Sequence, residues 1–229
     1  MARQLYDYWF VQFDFPDENG RPYKSSGGKM VWNKQLKREI PYGWEITRLD
    51  ELTNIFTGKK DVSKVTPGEY KFFSCAPDPI LSSEFIFDGQ AILVSGNGSY
   101  TGRVSFYNGK GDLYQRAYAC MLKEGINDIM SYLYLTMKVL FEPYHSGGKH
   151  GSSIPYIVME DLAGFVFPYS KQITMNFAKI VNPIFNQFAP SDNMAHEQIE
   201  SLRNMLLPLL MNGQVSVMPQ EVNCDLSHD

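Results

Sequence analysis

The chain has 229 residues and a formal net charge of −4, from 21 Lys and Arg against 25 Asp and Glu. Hydrophobic residues make up 44% and charged residues 20%, a balance typical of a folded protein rather than a disordered one. No run of roughly 18 apolar residues is present, so the sequence excludes a membrane-spanning helix of ordinary length. The three cysteines, Cys75, Cys120 and Cys224, are too widely spaced for a disulfide framework. Together with a first segment that lacks the apolar run of a signal peptide, they predict a cytoplasmic protein.

The charge is unevenly distributed. Residues 190–229 contain one base, Arg203, against six acids, which gives this region a net charge of −5. Residues 1–189 contain 20 bases and 19 acids, so the remainder of the chain has a net charge of +1. An acidic chain is an unusual nucleic-acid binder, because affinity for phosphates comes mainly from Lys and Arg. Local basic clusters in residues 1–189 keep that function open.

The first 43 residues predict a helix end followed by a loop. Apolar and aromatic residues at helical spacing over residues 5–15 predict a helix that stops before Pro16. Glycine and proline then punctuate residues 17–28, which predicts a loop. Alternation over residues 44–49 predicts a strand that enters the next domain.

Residues 44–123 predict a β-rich region. Short strand-like runs occupy residues 70–73, 85–87, 91–94, 104–107 and 114–121. The continuous apolar run at residues 91–94 indicates a buried strand, and a glycine-rich turn follows at residues 95–102. Asn108-Gly109 is the usual pair of a tight hairpin turn, and it predicts one at that point.

The period changes to helical after residue 125. Apolar spacing predicts a helix over residues 126–141 that Pro143 ends, then a glycine-rich loop and a strand from Ile154. A further helical period begins at Ile173, and Pro183 and Pro190 are expected to kink or interrupt it. Beyond Pro190 a coiled-coil type of seam predicts an interaction helix, formed by Ile199, Leu202, Leu206 and Leu209.

The fold class predicted is therefore mixed α/β, with a β-rich globular domain followed by a long C-terminal helical, coiled-coil arm. Residues 1–43 form a helix end and loop, and residues 44–172 form the globular domain. Residues 173–213 form the arm, and residues 214–229 form a tail.

No motif in the chain assembles a catalytic centre. Gly96, Gly98 and Gly102 come after a buried strand, but the residues from Arg103 onward look like another strand rather than the helix of a nucleotide-binding loop. Asn182-Pro183-Ile184-Phe185 is similar to the tetrapeptide of adenine methyltransferases, yet it lies in a helical segment and lacks the second proline. The four histidines do not pair with each other or with the cysteines at metal-ligand spacing, so no metal site is expected. The residues alone predict a binding module.

The two ends of the chain resemble a known family. The segments QLYDYWFVQFDFP (residues 4–16), NGRPYKSSGGKM (19–30) and IPYGW (40–44) resemble the central conserved region of type I restriction–modification specificity subunits. The segment LRNMLLPLLMNGQV (202–215) is similar to the end of the distal conserved helix of that family. Between them, GQAILVSG (89–96) is similar to the core hairpin of a target recognition domain.

The resemblance implies a half-length specificity subunit with a single target recognition domain at residues 44–172. Such a chain would have no catalytic residues and no cofactor of its own. It would read one half of a bipartite site in double-stranded DNA and dock methyltransferase subunits, to which restriction subunits can add. S-adenosylmethionine, and ATP with Mg²⁺ where restriction occurs, would be bound by those partners. A homodimer or pairing with a second half subunit is expected, with no role at a membrane.

Base recognition requires Arg, Lys, Asn and Tyr on loops that a rigid sheet projects into the major groove. Loop residues of that type form the predicted DNA-binding set: Lys59, Lys60, Lys64, Asn97, Tyr100, Arg103, Arg116, Lys149 and His150.

Two alternative functions remain open from the sequence. The first is a stand-alone DNA adenine methyltransferase that uses residues 182–185. The second is a protein-interaction scaffold whose acidic tail docks a basic partner without DNA contact.

Overall fold

The computed structural model describes residues 2–147 and 155–187. The predicted interaction helix and tail lie outside these residues, as do Lys149 and His150. The helix Ala2–Tyr6 continues directly into a π-helical turn at Asp7–Val11, and the helix Met130–Thr136 continues into another at Met137–Phe141. The helices are α1 (Ala2–Tyr6), α2 (Leu49–Leu52), α3 (Met130–Thr136), α4 (Glu142–His145), α5 (Met159–Ala163) and α6 (Lys171–Gln187).

Ten strands belong to three sheets in the described part of the chain. The strands are β1 (Met30–Asn33), β2 (Arg38–Pro41), β3 (Glu45–Arg48), β4 (Thr53–Thr57), β5 (Tyr70–Phe73), β6 (Ile80–Ser82), β7 (Phe87–Ser95), β8 (Val104–Leu113), β9 (Ala117–Leu122) and β10 (Val166–Tyr169). The central sheet has six strands in the order β4-β9-β7-β8-β5-β6. Two antiparallel pairs, β1 with β2 and β3 with β10, form separate two-stranded sheets. This architecture confirms the predicted mixed α/β class with a β-rich domain.

The central sheet curls strongly about β7 and β8. Gly111 of β8 pairs with Phe87 at one end of β7, whereas Ala117 of β9 pairs with Ser95 at the other end. Those ends of β7 would be about 26 Å apart on a flat sheet, but the chain from Gly111 to Ala117 reaches at most about 22 Å. The sheet must therefore bend so that the end of β8 returns to the start of β9.

Glycine makes the bend possible. Gly89 (φ +115°) and Gly109 (φ +138°) face each other in the β7–β8 ladder, in a backbone region that is closed to other residues. At Gly111 an added Cβ would lie 2.4 Å from the Phe87 ring, so the packing of that ring also favours glycine there.

The two faces of β7 contribute to two different cores. Ala91 and Leu93 point into a small core inside the curl, which also contains Leu113. Ile92 and Val94 point to the larger core that the helices cover. The continuous apolar run predicted as a buried strand is therefore buried on both faces, as such a run requires.

Aromatic rings join α1 and its π-helical turn to α6. Phe177 of α6 packs against Tyr6, Trp9 and Phe10, with ring centroids 6.1, 5.9 and 5.1 Å away. All four side chains are buried. Because aromatic burial contributes much of the stability of a core, this cluster fixes the two chain segments together.

Several predicted boundaries differ from the structure. Asn108-Gly109 forms no hairpin turn, because β8 runs through it and uses Gly109 for the sheet bend. Phe85 and Ile86 precede β7 rather than forming a strand. The sequence missed β4, β6 and β10, and it also missed β1 and β2, which lie in the region predicted as a helix end and loop. No strand follows Pro155 before α5, where Tyr156 makes only an isolated bridge to Asn97.

The two prolines within the described helices also behave differently from the prediction. Pro143 does not end its helix, because it lies in the first turn of α4, where a missing N–H leaves no hydrogen bond unmade. The helix itself begins at Met130 rather than residue 126. α6 continues through Pro183 to Gln187, so Pro183 does not interrupt that helix.

Replacing Phe177 with Ala removes the ring at the centre of this cluster. We expect Phe177→Ala to lower the free energy of unfolding by about 3–5 kcal/mol, because a buried cavity replaces the contacts. Urea unfolding of the full chain measures the change. Tyr144→Ala, which removes a ring that is 78% exposed, is the control and should cost less than about 0.5 kcal/mol. Equal losses in the two variants would contradict the assigned role.

Candidate nucleic-acid interface

A glycine-rich loop connects β7 to β8 and is closed by backbone hydrogen bonds. The Gly102 N–H donates to Ser95 O (2.8 Å), and the Ser95 N–H donates to Arg103 O (3.0 Å). Gly98 (φ +79°) and Gly102 (φ +83°) take the left-handed conformation that such a turn needs. The predicted turn is therefore confirmed, and its backbone is fixed at both ends.

The same loop binds the two chain segments on either side of residues 148–154. The Gly147 N–H donates to Thr101 O (3.3 Å), and the Gly98 N–H donates to Pro155 O (3.2 Å). The buried Thr101 hydroxyl lies 2.9 Å from Pro155 O. Lys149 and His150 lie outside the described residues, but the ends of their segment are held against this loop.

The turn between β8 and β9 adjoins the glycine-rich loop on its other side. The Gly96 N–H donates to Arg116 O (2.9 Å), and the Gln115 N–H donates to Lys60 O (3.0 Å). The turn therefore connects the segment after β4 to the glycine-rich loop. The curl of the sheet brings these segments to one surface, although they are distant in the sequence.

The predicted residues differ in how freely their side chains extend from this surface. Lys59, Lys64 and Arg116 are exposed, and no ion pair to them is found within the described residues. Tyr100 is 46% exposed. Asn97 is partly buried beside the bridge to Tyr156.

Lys60 has an internal role that the sequence did not indicate. Its ammonium forms ion pairs with Glu84 and with Asp112 (3.3 Å), a carboxylate that is only 1% exposed. The hydrogen bond to Glu84 raises the pKa of Lys60 above its ordinary value. Asp112 also accepts from the Ser82 hydroxyl (3.0 Å), so the group links the segment after β4 to β6 and β8.

Arg103 braces a neighbouring loop. Its Nη2 donates to Ala76 O (2.9 Å) and Pro77 O (3.3 Å), and its guanidinium lies 5.1 Å from the Tyr100 ring centroid. These contacts fix the direction of both side chains. The sequence predicted Arg103 as a DNA contact but not its hydrogen bonds to residues 76 and 77.

Gln115 belongs to this surface and was missed from the sequence. It is exposed in the turn that precedes Arg116, and its amide Nε2 lies 3.4 Å from Asp61 Oδ2. Gln is one of the side chains that pair with adenine in the major groove. The sequence placed Gln115 inside the predicted strand at residues 114–121, whereas β9 begins only at Ala117, so its position next to Arg116 was the one available signal.

The residues considered for catalysis have structural roles. The Asn182 amide donates from Nδ2 to Asp128 O (2.8 Å), and its Oδ1 accepts from the Ser131 hydroxyl (2.6 Å), so Asn182 ties α6 to α3. Phe185 packs on Phe106 with ring centroids 5.3 Å apart.

Cys120 is a buried core residue, and its burial raises the pKa of the thiol to about 12. In the described part of the chain, no cluster of His, Cys, Asp and Glu could hold a metal ion. Within that same part, none of the helices has the length and apolar character to cross a bilayer.

Comparison with known proteins places this surface in context. The model of the type I restriction modification DNA specificity domain matches residues 41–180. The chain is 30% identical over 185 residues to the Type I restriction enzyme EcoDI specificity subunit of Escherichia coli, covering 78% of this chain and 40% of that protein. It is 21% identical over 244 residues to the Type I restriction enzyme MjaIX specificity subunit of Methanocaldococcus jannaschii, covering 95% of this chain and 52% of that protein. The chain thus spans about half the length of these curated relatives.

The fold is also similar to a solved structure. The type I restriction–modification S subunit from M. genitalium superimposes with a TM-score of 0.56 at 17% identity, covering 95% of this chain and 55% of that one. Because the family model covers more than half of the chain, the protein belongs to the type I restriction–modification DNA specificity domain family. The matched domain is a DNA specificity domain, not a catalytic one.

Two glycines of the loop allow a matched test of its packing. An added Cβ at Gly102 would lie 2.4 Å from His145 O, whereas one at Gly98 meets nothing within 4 Å. Both have a positive φ, so backbone strain alone predicts about 1–3 kcal/mol for Gly98→Ala. Gly102→Ala should lower the free energy of unfolding further, to about 2–5 kcal/mol in total, since the clash adds to the strain. Thermal or urea unfolding compares them, and equal losses would contradict the packing.

Lys59 and Lys60 form a second matched pair. Lys60→Ala leaves the buried Asp112 carboxylate without its cation and should lower the free energy of unfolding by about 1–3 kcal/mol. Lys59→Ala removes an exposed charge and should change it by less than about 0.5 kcal/mol. Urea unfolding measures both. If Lys60→Ala lowers the free energy of unfolding no more than Lys59→Ala does, the ion pairs of Lys60 do not support the fold.

Proposed function

We propose that this chain binds duplex DNA with the surface formed by the glycine-rich loop, the turn at residues 114–116 and the segment after β4. It acts there as the specificity subunit of a type I restriction–modification system and reads one half of a bipartite site. The observation that carries the proposal is the hydrogen bonding of these separate segments into one surface. Membership of a DNA specificity domain family supports the same function.

The surface has the properties that base recognition requires. Its backbone is held by hydrogen bonds to a curled sheet, so the side chains are displayed from a rigid support. Arg116, Gln115 and Tyr100 project from it, and Arg and Gln are side chains that pair with guanine and adenine edges. This set is suited to the major groove.

The cations of this surface divide into two roles in our proposal. Lys59 and Lys64 are exposed and contact phosphates, which fixes the register of the protein on the duplex. Lys60 and Arg103 position the loops through their internal contacts. Lys149 and His150 add contacts from the segment that the glycine-rich loop anchors.

The chemistry belongs to partner subunits in this proposal. Methyltransferase subunits bind S-adenosylmethionine, and restriction subunits supply ATP- and Mg²⁺-dependent cleavage where the system restricts DNA. A bipartite site needs a second recognition domain, and in our proposal a second copy of this chain or a second half subunit supplies it. Ile199, Leu202, Leu206 and Leu209 are the proposed contact between the two chains.

The test of DNA binding combines one substitution in each of two loops. We expect Lys59→Ala with Lys149→Ala to weaken binding of a fluorescent duplex and to reduce the salt dependence of the affinity. Each lost phosphate contact lowers the slope of log K against log salt by about 0.9. Fluorescence anisotropy at several salt concentrations measures both quantities.

The control removes the same charge from another face. Lys171 and Lys179 are exposed on α6, so Lys171→Ala with Lys179→Ala should leave the affinity and its salt slope close to those of the unmodified chain. An equal effect of the two double variants would indicate long-range electrostatics rather than contact. An unchanged affinity in Lys59→Ala with Lys149→Ala would place the DNA elsewhere. Absence of duplex binding at low salt, with and without a methyltransferase subunit, would favour the protein-interaction scaffold.

A further inference from the structure

The most cationic part of the described chain lies outside the recognition loops. Residues 17–43 contain six bases (Arg21, Lys24, Lys29, Lys34, Lys37 and Arg38) against three acids (Asp17, Glu18 and Glu39), a net charge of +3. Residues 44–189 contain 13 bases and 14 acids, a net charge of −1. The excess positive charge of residues 17–189 therefore lies in residues 17–43 and not in the region of the recognition loops.

This region forms a hairpin with an exposed aromatic side chain. Trp32 of β1 is 64% exposed and pairs across the hairpin with Glu39 of β2. Lys34 and Lys37 lie at the tip between the two strands, and Lys24 lies in the preceding loop. All three lysines are exposed, and within the described residues no carboxylate forms an ion pair with them.

The cations converge on a shallow concave surface. A depression of about 480 Å³ is lined by Phe13, Lys24, Trp32, Lys37, Arg38 and Glu39. Three of these six side chains are cationic and one is acidic. The depression thus combines positive charge with the exposed indole ring.

The hairpin is rigidly attached to the domain. Trp44 packs against Phe13 and Phe15 with ring centroids 5.4 and 5.3 Å away, and Ile40 is buried in the main core. Arg38 lies 4.6 Å from the Phe13 ring centroid and donates from Nη2 to Val11 O (2.9 Å). These contacts fix Arg38 and the base of the hairpin, so the exposed lysines extend from backbone that is attached to the domain.

The hairpin lies near the segment that flanks the recognition surface. Tyr144 of α4 lies within electrostatic range of the Arg38 guanidinium. The next residue in α4, His145, contacts the glycine-rich loop through its backbone at Gly102. Continuity through α4 therefore connects the cationic hairpin to the proposed DNA surface.

We propose that the β1–β2 hairpin and the loop before it bind the phosphate backbone of the same duplex, with Lys24, Lys34 and Lys37 as the contacting side chains. This proposal rests on the proposed function, because it extends the DNA surface beyond the loops that read bases. The contact is independent of base sequence, since lysines at the tip of a hairpin meet phosphates rather than base edges. The hairpin adds affinity and orientation, and the recognition loops supply specificity.

The composition favours DNA over a protein partner. Lysine is depleted from protein–protein interfaces, whereas exposed lysines are the usual source of phosphate affinity. The exposed rings of this region are Trp32 and Tyr42, and the Lys29 ammonium lies 4.2 Å from the centroid of the Tyr42 ring, so exposed aromatic rings alternate with lysines.

The experiment uses the full chain with Lys24, Lys34 and Lys37 all replaced by Ala. Binding to several fluorescent duplexes of unrelated sequence is measured by anisotropy over a range of salt concentrations. We expect the affinity to fall by a similar factor, on the order of tenfold or more, on every duplex. The slope of log K against log salt should fall by about 2–3, since about three phosphate contacts are lost.

Two controls separate contact from general charge and from folding. The variant with all three lysines replaced by Arg keeps the charge and should bind like the unmodified chain. Lys171→Ala with Lys179→Ala should also leave binding unchanged, and circular dichroism checks that every variant is folded.

The outcomes distinguish this proposal from the proposed function. If the unmodified chain binds duplex and the triple Ala variant binds equally well, the hairpin proposal fails while the proposed function stands. If that variant keeps its DNA affinity but no longer associates with a methyltransferase subunit, the hairpin is a protein surface and the proposal is overturned. If the unmodified chain binds no duplex, alone or with a methyltransferase subunit, the proposed function fails first.

Discussion

The curl of the central sheet is the constraint on which the rest of the structure depends. The β7–β8 register fixes the two strands as a long ladder, and the short connection to β9 forces that ladder to bend. The bend needs glycine at positions 89, 109 and 111, because side chains there would meet either a disfavoured φ or a neighbouring ring. It closes a small core on the inner face and leaves the outer face to the helices. It also brings the end of β4, the β7–β8 loop and the β8–β9 turn to one surface.

On a rigid surface of this kind, some side chains hold the loops in place and others extend outward to contact DNA. Lys60 and Arg103 have partners inside the protein, so they hold loops in place. Lys59, Lys64, Arg116 and Gln115 extend outward from backbone that those contacts have fixed. Because ordering a loop on binding costs entropy, a loop already fixed by hydrogen bonds loses less affinity to that cost. The cationic hairpin is likewise fixed before DNA binds, because Trp44 at its base packs on Phe13 and Phe15.

The sequence was sufficient for local features and insufficient for long-range pairing. Local features depend on neighbouring residues, and the structure confirms two of them: the buried strand at residues 91–94 and the glycine-rich turn that follows it. The hairpin turn predicted at Asn108-Gly109 was wrong, because a local turn signal cannot show that β7 pairs with both residues and keeps them inside β8. The Lys60–Asp112 ion pair joins residues 52 positions apart, so the sequence alone indicated only that Lys60 belongs to a basic loop. The cationic hairpin was assigned to a loop because its glycines and prolines were more conspicuous than its lysines.

The central claim is that separate loops form one DNA-binding surface on the curled sheet. Hydrogen–deuterium exchange of the full chain, with and without a duplex that it binds, tests this claim most directly, because amides covered by DNA exchange more slowly. Our account predicts slower exchange in residues 95–103 and 114–116 together, with no change in α6. Protection confined to α6, or to only one of the two loops, would contradict it.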